Sequence, residues 1–271
     1  MDSFTETTIV PEEATEVPLR LLIRAGRGRT GGSTGLDLAI QRARHQGRRV
    51  KPLDGDLRSR TLSALYPATD EAGRPIPDGA SAPATDELPD IKAWLSAELD
   101  EMVVTRVSRV LDLSGGDRVM QEYARDLELM AFCRDFGIEA TVAVYLGPEM
   151  EDFRHAVQLL TSGEFRSEHT LLMLNEGVIR QGQTTLGAFD AIRAEPDYQL
   201  LVNGGAIPVV IPRLTCMPVL RERGLRFYDL LDRSPGSIGA SVSPTLQHMT
   251  KTWLEAFEGK LGEAGATRWM P

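Results

Sequence analysis

The sequence contains little cysteine, little lysine and no long apolar segment. Its 271 residues include two cysteines, Cys133 and Cys216, which excludes a disulfide scaffold and a cysteine-ligated zinc cluster. No apolar run reaches the roughly 18 residues that a membrane span requires, so no span is expected. Residues 1–16 are acidic and rich in threonine, without the positive start and apolar stretch of a secretory signal. We therefore expect a cytoplasmic protein.

The net charge of the chain is negative, at −9 at pH 7. A surface of that overall sign does not attract nucleic acid or anionic lipid. Basic residues are nevertheless concentrated between Arg20 and Arg60, where a local basic face could contact phosphates. A solvated helix face has the same charge pattern and is the alternative.

Apolar runs and glycine or proline breaks alternate along the chain in the manner of an α/β protein. Short apolar runs typical of buried strands occur at 19–25, 49–53, 107–113, 140–146, 170–174 and 207–211. Helical patterns occur between and after them, at 33–46, 91–104, 119–136, 149–160, 185–192, 216–231 and 244–257. This alternation predicts a mostly parallel, twisted sheet with helices on both faces.

The same pattern predicts one domain over residues 19–260. Residues 1–18 and 261–271 are expected to be flexible tails. The segment 67–90 is rich in Pro, Gly, Asp and Ala, which predicts a loop insertion within the domain.

A glycine-rich segment, Gly26-Arg-Gly-Arg-Thr-Gly-Gly-Ser-Thr34, lies between the first predicted strand and the first predicted helix. Gly26, Gly31 and Ser33 match the spacing of the phosphate-binding pattern G-x-x-x-x-G-K-[ST]. Glycines let backbone N–H groups close around an anion, and a helix N-terminus adds a favourable dipole. The lysine of the pattern is missing, because Gly32 stands in its place. A strand-to-helix turn without a ligand is the alternative.

Two further segments follow in an order that is known from one family. Asp54-Gly-Asp56 comes after the second predicted strand, and Asp112-Leu-Ser-Gly-Gly116 comes at the end of the third. Together with the glycine-rich segment, this order resembles the ParA/MinD family of deviant Walker A ATPases. These are P-loop NTPases, and the resemblance is to the type that acts in plasmid partition or conjugative transfer. It covers roughly residues 19–235.

The resemblance implies a site for ATP and Mg²⁺. Ser33 would bind Mg²⁺ directly. The carboxylate of Asp112 would lie in the second coordination shell of the ion, and Asp54 would hold the magnesium-bound waters or the loop. Asp56 would position the attacking water. Capping of strand-end turns, which aspartate favours, is the alternative for the three aspartates.

The resemblance also implies the residues that contact the nucleotide. Asn175, at the end of a predicted strand, corresponds to the asparagine that reads the base. Pro212 and Arg213 correspond to a late segment that packs on it. The phosphate contacts would come from Gly26, Gly28, Arg29, Thr30, Gly31, Gly32, Ser33 and Thr34. A further contact would come from Gly116, in a switch segment whose backbone N–H senses the γ-phosphate.

Both lysine positions of the family's loop hold other residues here. The signature lysine position holds Arg27, and the P-loop lysine position holds Gly32. In the family the signature lysine reaches the partner's phosphates across a nucleotide-sandwich dimer, so Arg27 would act as a catalytic arginine finger. Loss of the other lysine costs about 10²–10³ in rate, although Arg29 would restore part of the charge. Slow or absent hydrolysis is therefore expected, and Gly32→Lys is expected to speed it.

The sequence favours two functions. The first is a nucleotide-dependent switch in plasmid partition or conjugative DNA transfer, a weak ATPase that forms a homodimer with ATP. A small DNA-binding adaptor protein or non-specific DNA would be its further partner, and Arg221, Arg223 and Arg226 lie where such contacts form in the family. The alternative is a non-hydrolysing scaffold or nucleotide sensor that binds a DNA-binding adaptor.

Overall fold

The structure is a computed structural model that describes residues 18–113, 117–161, 167–231 and 242–271. Its strands are β1 (Leu19–Ala25), β2 (Val50–Asp54), β3 (Ser108–Asp112), β4 (Ile138–Leu146), β5 (His169–Asn175) and β6 (Ile207–Ile211). Its helices are α1 (Gly32–His45), α2 (Thr61–Leu65), α3 (Leu88–Thr105), α4 (Asp117–Leu127), α5 (Leu129–Asp135), α6 (Met150–Thr161), α7 (Asp190–Arg193), α8 (Pro196–Asn203), α9 (Met217–Glu222) and α10 (Pro244–Glu263).

The strands form one sheet in the order β2-β3-β1-β4-β5-β6, and every neighbouring pair is parallel. Helices cover both faces, because parallel strands need crossover connections that return over the sheet. The predicted fold class, a parallel α/β sheet covered on both sides, is confirmed.

The two faces of β1 are buried against different helices. Leu19, Leu21 and Ile23 pack on the face covered by α3, α5 and α6. Leu22 packs on the opposite face, which α1, α2 and α10 cover. Side chains alternate along a strand, so Arg20 and Arg24 share the face of Leu22. Both arginines are buried, and buried charges need partners.

The predicted loop insertion, residues 67–90, lies along the outer edge of β2. The Ser81 N–H donates to the Pro52 carbonyl at 3.0 Å, and the Asp54 N–H donates to the Ser81 carbonyl at 2.8 Å. The indole of Trp94 on α3 donates to the Ser81 hydroxyl at 2.8 Å. The segment therefore covers an edge strand that would otherwise expose unpaired backbone groups.

The C-terminal residues differ from the tail expected over 261–271. Helix α10 continues to Glu263 and a 3₁₀ turn follows at Ala266–Trp269. Leu261 and Met270 are buried, and the Met270 carbonyl accepts a hydrogen bond from Arg20 at 2.9 Å. Burial of apolar side chains and pairing of this carbonyl fix the segment to the sheet.

Three helices also differ from the sequence pattern. The helix predicted over 119–136 is two helices, because Glu128 adopts a left-handed conformation with φ of 52°. The helices predicted over 185–192 and 216–231 shorten to α7 and α9. Helix α8 was not predicted, although Pro196 at its first turn is a recognised start signal.

Among the described residues, no helix combines the length and hydropathy of a membrane span.

Helix α1 approaches the sheet closely at Gly35. A Cβ at this position would lie 2.1 Å from Cε1 of the Tyr145 ring. That ring belongs to β4 and is almost completely buried, so it has little room to move. The contact sets the distance between α1 and the sheet.

Substitution of Gly35 by Ala tests this contact. We expect Gly35→Ala to lower the free energy of unfolding by about 2 kcal/mol, since an added methyl group overpacks the core. The melting temperature should fall by about 4–8 °C. Gly259→Ala is the matched control. Gly259 lies within α10, and a methyl group added there would meet no atom within 4 Å, so helix propensity should raise stability by about 0.5–1 kcal/mol. Equal effects of the two changes would contradict the close contact.

Candidate functional site

The residues singled out from the sequence gather at one edge of the sheet. All strands are parallel, so their carboxyl ends lie along the same edge, where ligands of such sheets bind. Strand β1 lies between β3 and β4, and the loop that follows it, residues 26–34, is therefore central. Asp54 and Asp112 are paired in register at the ends of β2 and β3. Asn175 ends β5.

The loop 26–34 turns the chain from β1 into α1 through left-handed residues. Gly26, Arg29 and Gly31 have φ values of 108°, 71° and 79°. A side chain at Gly26 would meet the Tyr145 carbonyl oxygen at 3.0 Å, so both the conformation and the space require glycine there. Gly31 is the residue before α1, and as a glycine it has no side chain to cap the N-terminus of this helix. Its first backbone N–H groups have no intrahelical acceptor, and such groups can bind an anion.

Asn175 holds the loop in place. Its Nδ2 donates to the Thr30 carbonyl at 2.8 Å, and its Oδ1 accepts from the Gly177 N–H at 2.9 Å. A Cβ at Gly31 would lie 2.3 Å from the same Nδ2, and Asn175 is buried. Both polar groups of the amide therefore face the protein, which differs from the base-reading role implied by the resemblance.

The guanidinium of Arg24 lies under the loop. Nη1 is 2.7 Å from Oδ1 of Asp112 and 3.5 Å from the Ser33 hydroxyl oxygen. Nη2 donates to the Arg27 carbonyl at 3.4 Å. The Arg24 and Asp112 side chains are 4% and 1% exposed. This ion pair joins β1, β3 and the loop at a place that was not predicted from the sequence.

Gly32 leaves the space that Arg24 fills. A Cβ on Gly32 would lie 1.9 Å from Nε of Arg24, which is far inside van der Waals contact. A lysine cannot enter at this position unless Arg24 moves. The expectation that Gly32→Lys alone speeds hydrolysis is therefore not supported by the packing.

Asp54 is buried beside the ion pair. Its Oδ2 accepts from the Ser63 N–H at 2.6 Å, and its Oδ1 has no hydrogen-bond partner among the described residues. Burial raises the pKa of this carboxyl above its ordinary value; the Ser63 N–H lowers it, and the nearby charge of Asp112 raises it further. The surroundings of Asp54 thus disfavour its charged form.

The three residues expected to serve Mg²⁺ do not fit a metal. The guanidinium of Arg24 already lies against the Asp112 oxygen and near the Ser33 hydroxyl. Oδ2 of Asp54 is engaged by a backbone N–H. Across the ranges that the structure describes, no group of three or more acidic, histidine or cysteine side chains is arranged to hold a metal.

Asp56 caps the turn that precedes α2. One carboxylate oxygen accepts from the N–H groups of Arg58 and Ser59, both at 3.2 Å. The other accepts from the Ser59 hydroxyl at 2.7 Å. These contacts match turn capping, the alternative considered from the sequence.

The charged residues of the loop face outward. Arg27 is half exposed, and its Nη1 lies 3.5 Å from Oδ1 of Asp152 on α6. Arg29 is exposed. Arg221 on α9 donates to the Thr34 hydroxyl at the start of α1. Arg221 therefore places a cation at the start of α1, beside the loop.

The remaining expected residues lie at the rim of the site or outside it. Gly28 is exposed, and an added Cβ would meet no atom within 4 Å. The Thr30 side chain donates to the Arg27 carbonyl at 3.0 Å. Arg213 donates to the carbonyls of Arg180 and Gln183, and the Pro212 carbonyl accepts from the Trp253 indole. Gly116 lies outside the described residues.

No family model matches the sequence, and no curated protein matches it. Among solved structures, the chain is similar to chloroplast FtsY from Physcomitrella patens, at 16% identity and a TM-score of 0.44, over 66% of this chain and 55% of that one. It therefore spans about half of that chain. It is also similar to the cell division protein MinD from Aquifex aeolicus, at 15% identity and a TM-score of 0.43, over 89% and 97% of the two chains.

A third similar structure is McdA from Cyanothece, solved in complex with ATP. The identity is 12% and the TM-score 0.42, over 89% of this chain and 96% of that one. At these identities and scores, the likeness carries no argument about the ligands or activity of this chain.

Asp54→Asn tests the cost of the buried carboxylate. A raised pKa in the folded state means that stability is greatest below the ordinary aspartate pKa of 3.8 and is lost as the pH rises through the folded value. Asparagine removes that loss. We expect the variant to be more stable than the wild type at pH 7, with the gain vanishing below pH 3.8.

Thermal unfolding across this pH range is the measurement, and Asp56→Asn is the matched control. Asp56 caps a turn at the surface, a role that asparagine also fills, so no pH-dependent gain is expected there. A lower melting temperature of Asp54→Asn at pH 7, but not below pH 3.8, would show instead that the fold needs this negative charge.

Proposed function

We propose that the chain is a nucleotide-dependent switch protein of the ParA/MinD kind, with slow or absent hydrolysis. The observation that carries the proposal is the loop 26–34, a glycine-rich turn at the centre of the carboxyl edge that leads into a helix whose N-cap residue is Gly31 and has no capping side chain. Backbone N–H groups at such a helix start bind phosphate oxygens. The resemblance of the sequence to the family supports the same reading of this loop.

Phosphates would bind from the outer side of the loop. The backbone of Gly28 is open to solvent there, and Arg29 supplies a side-chain cation beside it. Arg221 supplies a second cation at Thr34. These arginines would take over part of the charge that the two missing lysines provide in the family.

Hydrolysis would be slow or absent for a structural reason. Asp56, the candidate for positioning the attacking water, uses both carboxylate oxygens to cap its own turn. Asp112 is paired with Arg24 instead of supporting a metal. The residues that would activate water and stabilise the transferred phosphoryl group are thus committed to other contacts.

A switch requires two states that differ in their contacts with the ligand. Arg27 can supply this difference. Without a partner subunit it pairs with Asp152 of its own chain, and because the pair is partly exposed, Arg27 can leave it. In the proposed homodimer Arg27 leaves Asp152 and contacts the phosphates held by the partner subunit. The dimer would then bind a small DNA-binding adaptor, or DNA itself, in plasmid partition or conjugative transfer.

A second function is favoured by the Arg24–Asp112 pair. A protein whose central carboxylate is neutralised by its own arginine is suited to binding a nucleotide without cleaving it. The chain would then be a non-hydrolysing scaffold or nucleotide sensor for the same adaptor. Any turnover of ATP in a single-turnover assay would exclude the sensor, and nucleotide-dependent dimerisation without turnover would favour the switch.

Nucleotide binding at the loop should raise the melting temperature, because a ligand that binds only the folded state stabilises it. We expect ATP, ADP or GTP at about 100 times its dissociation constant to add about 2.7 kcal/mol to the free energy of unfolding. Gly28→Glu should abolish the shift, since it places a negative charge at the open part of the loop without a steric clash.

Gly259→Glu adds the same charge to an open position on α10 and should leave the shift intact. The absence of a shift in the wild type with all three nucleotides would contradict the proposed binding. An equal shift in Gly28→Glu would remove the loop from it.

Two variants that break the same ion pair should affect dimerisation differently. Arg27→Ala removes the group that would reach the partner's phosphates, and we expect dimerisation with ATP to weaken by about tenfold or more. Asp152→Asn releases Arg27 from its pair within the chain and should leave dimerisation unchanged or strengthen it.

Sedimentation of the wild type and both variants, with ATP, with ADP and without nucleotide, is the measurement. A wild type that stays monomeric with ATP, or is equally dimeric without it, would contradict the switch. Equal weakening in both variants would assign Arg27 a structural role only.

A further inference from the structure

We propose that Arg24 is a resident cation, whose guanidinium takes the place of a divalent metal between Asp112 and Ser33 and keeps metals out. The proposal concerns the chemistry under the loop and holds whether or not the site binds a nucleotide. It assigns a role to a residue of β1 that the family resemblance does not include.

The contacts of Arg24 are those of a bridging cation. One guanidinium nitrogen contacts the Asp112 carboxylate at 2.7 Å and lies 3.5 Å from the Ser33 hydroxyl. Another contacts the Arg27 carbonyl oxygen at 3.4 Å. A carboxylate, a hydroxyl and a carbonyl are all oxygen donors, and hard divalent cations prefer this set. Here a side-chain cation engages all three.

The surroundings are shaped for the guanidinium. Gly32 faces Arg24, and a methyl group there would overlap its Nε, Cδ and Cζ at 1.9–2.7 Å. The Arg24 side chain is 4% exposed. Guanidinium stays protonated at any pH that a protein meets and is less strongly hydrated than an ammonium group, so it is suited to a buried ion pair.

The charges leave little attraction for a second cation. Arg24 already neutralises Asp112, and Oδ2 of Asp54 is engaged by the Ser63 N–H at 2.6 Å. A metal ion would have to displace the guanidinium and leave it buried without a partner, which is strongly unfavourable. The site therefore excludes divalent metals for as long as Arg24 is present.

Removal of Arg24 should convert this place into a metal site. We expect Arg24→Met to bind Mn²⁺ at about 1 mM or below, through the oxygen donors that Arg24 leaves. Binding is measured by the loss of the electron paramagnetic resonance signal of aqueous Mn²⁺, with no nucleotide present. The melting temperature of the variant should rise by about 3 °C or more in Mn²⁺. The wild type should show neither effect.

Arg42→Met is the matched control. Arg42 on α1 is equally buried and pairs with Glu258 on α10 at 2.9 Å, outside the loop. Its loss should destabilise the protein without creating a response to Mn²⁺. The double variant Arg24→Met/Asp112→Asn should lose the Mn²⁺ response of the single variant, because the central carboxylate is gone.

Three results would overturn the proposal. The first is Mn²⁺ binding by the wild type that Asp112→Asn abolishes. The second is a folded Arg24→Met variant with no Mn²⁺ response. The third is the same response in Arg42→Met. If Arg24→Met does not fold, Arg24→Gln, which keeps a hydrogen-bond donor without the charge, replaces it under the same criteria. Failure of nucleotide binding would leave these outcomes unchanged, so the two proposals fail separately.

Discussion

The buried ion pair between Arg24 and Asp112 is the interaction on which the site depends. It connects the central strand β1 to β3, and through the Arg27 carbonyl and the Ser33 hydroxyl it also fixes the loop. Loss of one partner of such a pair typically costs about 3–5 kcal/mol, because the other charge stays buried. The loop and the strand ends therefore form one unit, and the conformation of residues 26–34 is tied to the core.

Much of the fold could be predicted from the sequence, because the strands are short apolar runs that are buried in the sheet, fully so in β1. The runs at 19–25 and 207–211 coincide with β1 and β6. The elements that differed depend on tertiary contacts or single backbone conformations. Glu128 divides a helical pattern by one left-handed residue, a conformation that glutamate rarely adopts. The residues after 260 are ordered by packing and by Arg20, and no local signal reports such contacts.

The position of the site could also be predicted, since the loop and the strand-end aspartates are local features of the sequence. The partners of their side chains could not. Arg24 and Asp112 are 88 positions apart, and Asn175 and Thr30 are 145 apart. One signal was available for Arg24, an arginine in an otherwise apolar strand. Alternation places it on the face toward α1, and burial requires an acidic partner, but the sequence does not name that partner.

The contact between Gly32 and Arg24 restricts how this sequence can change. A lysine at position 32 overlaps Arg24, and loss of Arg24 leaves the Asp112 carboxylate buried without its cation. Each of these two changes made alone therefore gives a less stable protein. Only a paired exchange at both positions avoids that loss of stability. The two residues are therefore constrained together: a longer side chain at position 32 and the loss of Arg24 are tolerated only as one combined change.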